Sequence, residues 1–188
     1  MNDVLTRYEA AVDVFDGVVH QVGDGQWSDP TPCTEWDVRE LVNHVVGEQA
    51  WVAPLLAGRT VAEVGDALDG DLLGTDPAAA WHHHSGEAHT AFSELGALDR
   101  TVHLSYGDDS AVSYCDQLTF DAIVHAWDLA RATGADEQLP DDLVGWAIGW
   151  VTPVLPMYQA AGIVAPPVEV PADADAQTRL LAMVGRQR

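Results

Sequence analysis

The chain has 188 residues, 47% of them apolar, which is enough for one domain with a sizeable core. Eight basic residues against 30 acidic ones leave a formal net charge of -22, a surface that repels nucleic acid and anionic lipid and disfavours a strongly anionic substrate unless a local cation offsets the field. The two cysteines are too few for a disulfide framework, no apolar run approaches the ~18 residues of a membrane span, and the opening MNDVLTRYEA lacks the basic-then-apolar pattern of a secretory leader, so a soluble cytoplasmic protein is expected.

In chain order, Leu5, Tyr8, Val12, Phe15, Val18, Val19 and Val22 follow helical spacing and predict a first helix from Val4 to about Val22. GDGQWSDPTPCTEW breaks it with glycines and prolines. Thr34 followed by Asp37 reads as a capping signal for a second helix, from Glu35 or Trp36 to about Leu56, with Pro54 near its end and Gly58 as its stop. Residues 59–76 read as a long connection with one short helical turn. Asp76-Pro77 opens a third helix running to about Leu95, since Asp caps well and Pro is favoured at the first helical position. LDRTVHLSYGDDSAVSY alternates around Gly107, Asp108 and Asp109 and predicts a short hairpin or extended excursion. A fourth helix holds LTFDAIVHAWDLARAT and ends at Gly134. A further helical stretch, from about Pro140 to Ala161, is expected to bend or break at Pro153 and Pro156, before extended VAPPVEVP and a short closing helix. This pattern predicts an all-α helical bundle with a long crossover and minor extended segments, as a single domain over 1–188 with a short C-terminal extension from about 163.

Asp121 and His125 lie four apart on the fourth helix and share a face, so they can give two ligands to one ion. Neutral imidazole suits zinc, nickel, copper or iron, and a carboxylate lowers the charge at the site; a buried Asp-His hydrogen bond would look the same in sequence. His44, flanked by Leu41, Val45 and Val46, projects inward or at the core edge of the second helix and is the third ligand candidate. Three protein ligands leave a position open for water or substrate, as in a reactive rather than a structural site. Glu48, four after His44, is a candidate fourth ligand, outer partner or proton-transfer group, and Asp128, three after His125, can orient that ring. His82, His83, His84 and His89 crowd the third helix, but consecutive histidines point apart, so they read as a surface patch or an adventitious metal site. His20 and His103 show no partner in the sequence. Cys33, just ahead of the second helix, is either a reactive thiol or a small residue in a Pro-rich turn, and the turn is favoured. Trp51 and Trp127 are candidates to line an apolar mouth.

The segments QWSDPTPCTEWDVRELVNHVVGEQAWV and HLSYGD…LTFDAIVHAWDLARATG, with the tail APPVEVPADADAQTRLLAMVGR, resemble the actinobacterial DinB-like metal-binding family related to the N-terminal domain of mycothiol-dependent maleylpyruvate isomerase. The resemblance runs from about Leu5 to Arg186. It implies a four-helix DinB-like bundle with a divalent metal between helices, His44 as the family's first histidine, and Asp121 and His125 as its carboxylate-x-x-x-histidine pair. It also implies chemistry in which a metal binds a low-molecular-weight thiol such as mycothiol and presents it to an electrophile. The chain departs from the isomerase by carrying Asp121 in place of Glu and by having only about thirty residues after its last long helix, so maleylpyruvate is not carried over as substrate.

The expectation is therefore a metal-binding thiol-dependent transferase or isomerase acting on a small electrophile, with zinc or nickel at His44, Asp121 and His125, Glu48 as acid/base, mycothiol as co-substrate, and a homodimer left open. A non-catalytic metal or small-ligand binder, and a metal-dependent hydrolase using bound water, are the alternatives.

Overall fold

The computed structural model describes residues 3–188; Met1 and Asn2, the start of the stretch read above for a leader, lie outside them. It divides into two compact units, residues 1–135 and 136–188.

In the first unit, α1 (Asp3–Val19) buries Tyr8, Ala11, Phe15, Val18 and Val19 along one stripe. α2 (Val38–Leu56) is followed by a one-turn helix α3 (Val61–Val64), then α4 (Pro77–Ser93), a 3-10 turn at Ala97–Asp99, a hairpin of β1 (Thr101–Leu104) and β2 (Gly107–Ser110), and α5 (Ala111–Thr133). α1 packs on α4 and α5, and α2 packs on the same two helices. The result is the expected all-α, DinB-like four-helix bundle, with 57–76 as its crossover. Its core is locked by aromatic pairs, Tyr8 against Phe92 at 5.2 Å and Phe15 against Trp81 at 4.7 Å between ring centroids. The Tyr8 hydroxyl donates to Gln49 Oε1, and Trp81 Nε1–H to Asp16 Oδ1 at 2.9 Å, so these buried polar atoms have partners.

The second helix starts later than expected. Asp37, not Thr34, is the N-cap: its carboxylate accepts from the Glu40 amide, and Glu40 accepts from the Asp37 amide. Residues 31–36 form a turn of their own, in which Thr31 Oγ1 donates to the Trp36 carbonyl at 2.8 Å and the Trp36 amide to the Cys33 carbonyl at 2.8 Å. Those local bonds compete with helix for the same backbone groups. The hairpin turn also lies earlier than the sequence suggested. Leu104 pairs with Gly107, so Ser105 and Tyr106 make the turn and Asp108 and Asp109 belong to β2. Ser110 then caps α5 by accepting from the Ser113 amide, and Gly134, at φ 74°, ends that helix.

In the second unit α6 (Asp141–Ala160) packs on α7 (Ala176–Met183). Of the two outcomes expected at Pro153 and Pro156, a bend or a break, the break does not occur: α6 runs through both. Proline removes the amide that would bond the carbonyl four residues earlier, here those of Gly149 and Thr152, and both residues are exposed, where water is free to take that place. Gln177 ties the segment ahead of α6 to α7, accepting from the Leu139 amide at 3.0 Å and donating to the Glu137 carbonyl at 2.7 Å. Gly185, at φ 80°, admits no side chain, since a Cβ there would meet Ala165 Cβ at 2.5 Å. No helix among the described residues is long and apolar enough to cross a membrane.

Asp37→Ala removes the cap that starts α2 and is expected to destabilise the protein by ~1 kcal/mol, read as a lower midpoint with unchanged slope in urea denaturation.

Candidate metal centre

α2 and α5 supply the site. α5 buries nearly every position from Leu118 to Ala130, because the bundle surrounds it there. Asp121, His125 and Asp128 rise along one face of that helix at spacings of four and three. His44 lies on α2 between core residues Val42 and Val45 and faces the same place.

Both imidazoles direct Nε2 at one carboxylate. His125 Nε2 is 3.3 Å from Asp121 Oδ1, and His44 Nε2 is 3.5 Å from each Asp121 oxygen. One ligand atom from each of the three lies within 4.8 Å of the others. The separations are long for charge-assisted hydrogen bonds, which sit near ~2.8 Å. They match the ligand–ligand edge of about 3.4 Å expected of a tetrahedron with ~2.05 Å bonds. Two imidazole nitrogens and one carboxylate oxygen suit a divalent transition ion in donor type, and both histidine–Asp121 separations suit shared ligation.

Residues 8–130, which span most of the bundle and include His44, Asp121 and His125, match the mycothiol maleylpyruvate isomerase N-terminal domain. The chain belongs to that family. It is also 33% identical over 141 residues, 75% of this chain and 73% of each relative, to two uncharacterized proteins of Mycobacterium tuberculosis, one from strain CDC 1551 / Oshkosh and one from strain H37Rv. No solved structure matches.

Around this cluster lie groups that the sequence placed differently or not at all. Trp36 covers it, its ring centroid 4.6 Å from that of His44 and 5.7 Å from that of His125. The proposed Trp127 is instead buried in the core, and Trp51 packs against the cluster around Tyr8 and Phe92. Beside His44 opens a depression of about 390 Å³ bordered by Trp36, Arg39, Glu40, Asn43 and Asp71. α2 pins the crossover along that edge. Arg39 donates to Asp71 and to the Gly74 carbonyl, each at 2.7 Å, and Asn43 bonds the Gly70 carbonyl at 2.9 Å and the Leu72 amide at 2.8 Å. On the far side of His125, Nδ1–H donates to Asp128 Oδ2 at 3.0 Å, and the Cys33 thiol donates to the same oxygen at 3.2 Å. Asp128 was visible three residues after His125; nothing in the sequence linked Cys33 to either. Cys115 is fully buried, and burial, with the nearby Asp116 charge, pushes its thiol up to about 12.

Five of the remaining histidines have carboxylate neighbours elsewhere. His20 lies against Asp16, His89 against Glu9 at 2.8 Å, and His103 against its cross-strand neighbour Asp108 at 2.7 Å. Consecutive histidines were expected to diverge, but His83 and His84 both lean on Glu87, at 3.4 and 3.6 Å, on the surface.

Burial alone would raise Asp121, but the two imidazoles overturn this and hold its carboxyl far below the usual range. Burial alone would lower both histidines; the Asp121 charge reverses this, modestly at His44 and strongly at His125. Burial first, and the Asp121 charge second, raise Glu48, which is partly buried one turn beyond His44.

These directions fix a pH response. The raised imidazoles stabilise the metal-free fold fully below their ordinary value of about 6.5, and this is lost as pH rises through their folded values. The depressed Asp121 contributes above its ordinary value of about 3.9 and is lost as pH falls through its folded value. Both contributions are complete between about 4 and about 6.5. Metal uptake requires neutral imidazoles, so affinity rises with pH while the metal-free cluster weakens. Metal-free wild type is therefore expected to lose melting-temperature margin over metal-free Asp121→Ala as pH rises above about 6.5. Zinc affinity from chelator competition is expected to rise by up to about a hundredfold per pH unit while two protons are displaced.

Proposed function

We propose that the protein binds one divalent transition ion, zinc or nickel, through His44, Asp121 and His125, and uses it in a thiol-dependent transfer or isomerisation of a small electrophile, with mycothiol as the thiol. The observation that carries this reading is the convergence of two Nε2 atoms on one carboxylate at metal-ligand spacing, next to an opening at His44. A divalent ion in such a site supplies Lewis acidity that lowers the pKa of a thiol brought to it.

The chain's own residues do the rest. His44 and His125 give neutral donors and Asp121 one negative charge, so the ligand set leaves a divalent ion with a formal charge of about +1. Glu48 takes the acid/base role: a carboxyl raised by burial exchanges protons nearer neutral pH than an exposed one does. Trp36 shields the imidazoles from water on one side and leaves the depression beside His44 for the incoming molecule. Arg39 is committed to Asp71 and Gly74, so that depression favours a neutral or zwitterionic ligand over a strongly anionic one.

Mass-spectrometric metal analysis is expected to find about one equivalent in wild type and its loss in His125→Ala with the helical spectrum retained. Equal metal in both would remove this site. Calorimetry with mycothiol on the metal-loaded protein is expected to show saturable binding with proton release. Once a turnover assay is in hand, Glu48→Gln is expected to lower kcat by about 10²–10⁴ while metal content stays unchanged. Metal binding without any thiol binding would leave a binding protein or a hydrolase.

A further inference from the structure

We infer that Asp128, steadied by the thiol of Cys33, is a positioning residue that fixes the His125 ring with Nε2 toward Asp121 and His44. The inference rests on the metal reading above and concerns residues that reading does not use. The Asp128 side chain is 0% exposed and that of His125 9% exposed, and the two meet at 3.0 Å. A carboxylate accepts and does not donate, so the proton of this bond sits on Nδ1. With Nδ1 protonated, the lone pair of the neutral ring is on Nε2, the nitrogen facing Asp121 at 3.3 Å. Without that acceptor, the neutral ring is free to carry its proton on Nε2, the tautomer that cannot ligate from that atom.

Cys33 extends the chain of contacts outward. Its Sγ lies 3.2 Å from Asp128 Oδ2 and 3.9 Å from His125 Nδ1. A nucleophile–histidine–acid arrangement places nucleophile and acid on opposite ring nitrogens, so that one orients and the other accepts the proton. Here Cys33 and Asp128 crowd the same nitrogen, and the other faces Asp121. That is not the arrangement in which a histidine activates a thiol, and Cys33 donates to Asp128 at 3.2 Å. The Cys33 backbone is itself held, its amide donating to Thr31 Oγ1 at 3.1 Å and its carbonyl accepting from Trp36 at 2.8 Å. The turn that carries Trp36 onto His44 therefore also carries Cys33 onto Asp128.

The test measures zinc affinity by chelator competition in wild type, Asp128→Asn, Cys33→Ala and Cys33→Ser, together with long-range proton–nitrogen NMR of His125. Asp128→Asn is expected to lose affinity about 10–100-fold. Cys33→Ala is expected to lose about two- to tenfold, and Cys33→Ser, whose hydroxyl still donates, to recover most of it. The wild-type spectrum is expected to show a slowly exchanging proton on His125 Nδ1 that exchanges fast in Asp128→Asn. Wild-type affinity in Asp128→Asn overturns the inference. If that variant fails to fold, the cysteine pair decides, and Cys33→Ala binding zinc as tightly as wild type overturns it. If wild type takes up no metal, the metal reading fails by itself and the NMR arm judges the positioning: an Nδ1 proton exchanging equally fast in wild type and Cys33→Ala overturns it, and protection lost in Cys33→Ala supports it.

Discussion

One carboxylate between two imidazoles governs the centre of the bundle. Asp121 sits on a helix whose neighbours Ala122, Ile123 and Val124 are core residues, a place where an unpaired charge costs several kcal/mol. His44 and His125 make that charge tolerable, and it in turn raises both imidazoles above their ordinary range in the metal-free protein. Such a cluster is weak evidence for stability, since well-packed apolar residues of similar volume hold a core as well or better. Its value lies in what the three groups do together. Remove the protons from the rings and the same geometry presents two lone pairs and an anion to a cation.

That geometry depends on two helices keeping their separation. α2 and α5 are not left to meet by their apolar faces alone. The Asp37–Glu40 box fixes where α2 begins, the turn at residues 31–36 fixes how the chain enters it, and Arg39 and Asn43 clamp the crossover against its outer side. On α5, Ser110 at one end and Gly134 at the other define a helix of 23 residues with Asp121 and His125 near its middle, away from fraying ends. Side chains mounted on helix interiors and held by packed neighbours keep their spacing better than those on loops.

What could be read from the sequence follows the range of the interactions. The Asp121–His125 pair, the inward face of His44 and the Asp76-Pro77 start of α4 depend on spacing within one helix, and each was legible. The α2 start was misplaced by three residues or fewer because the competing turn is built from side-chain bonds that residue type alone does not reveal. The hairpin was foreseen but its turn was not, since Gly107 signalled a turn residue while the pairing put it on the strand. The approach of Cys33 to Asp128, 95 residues on, and of Trp36 to His44 depends on the path of a loop across two helices, and no local pattern encodes it. Pro153 and Pro156 do not break α6, because the proline rule concerns lost bonds, and exposed carbonyls can bond to water.

Charge connects the site to the whole surface. A net charge of -22 draws divalent cations toward the protein and holds anions off. Arg39, the cation bordering the depression beside His44, is neutralised by Asp71, so the wall of that opening adds little to counter the field. A cation held by His44, Asp121 and His125 would then be the local positive feature at the end of an acidic approach. Neutral and zwitterionic molecules pass such an approach at little electrostatic cost, and a donor that becomes anionic only on reaching the cation avoids the repulsion on the way in. A thiol behaves in this way: it is neutral in solution at neutral pH, since its ordinary pKa is about 8.5, and charged once its proton is lost at the site. With a cation bound as proposed, the acidic surface would acquire a role in selectivity through the composition of this one cluster.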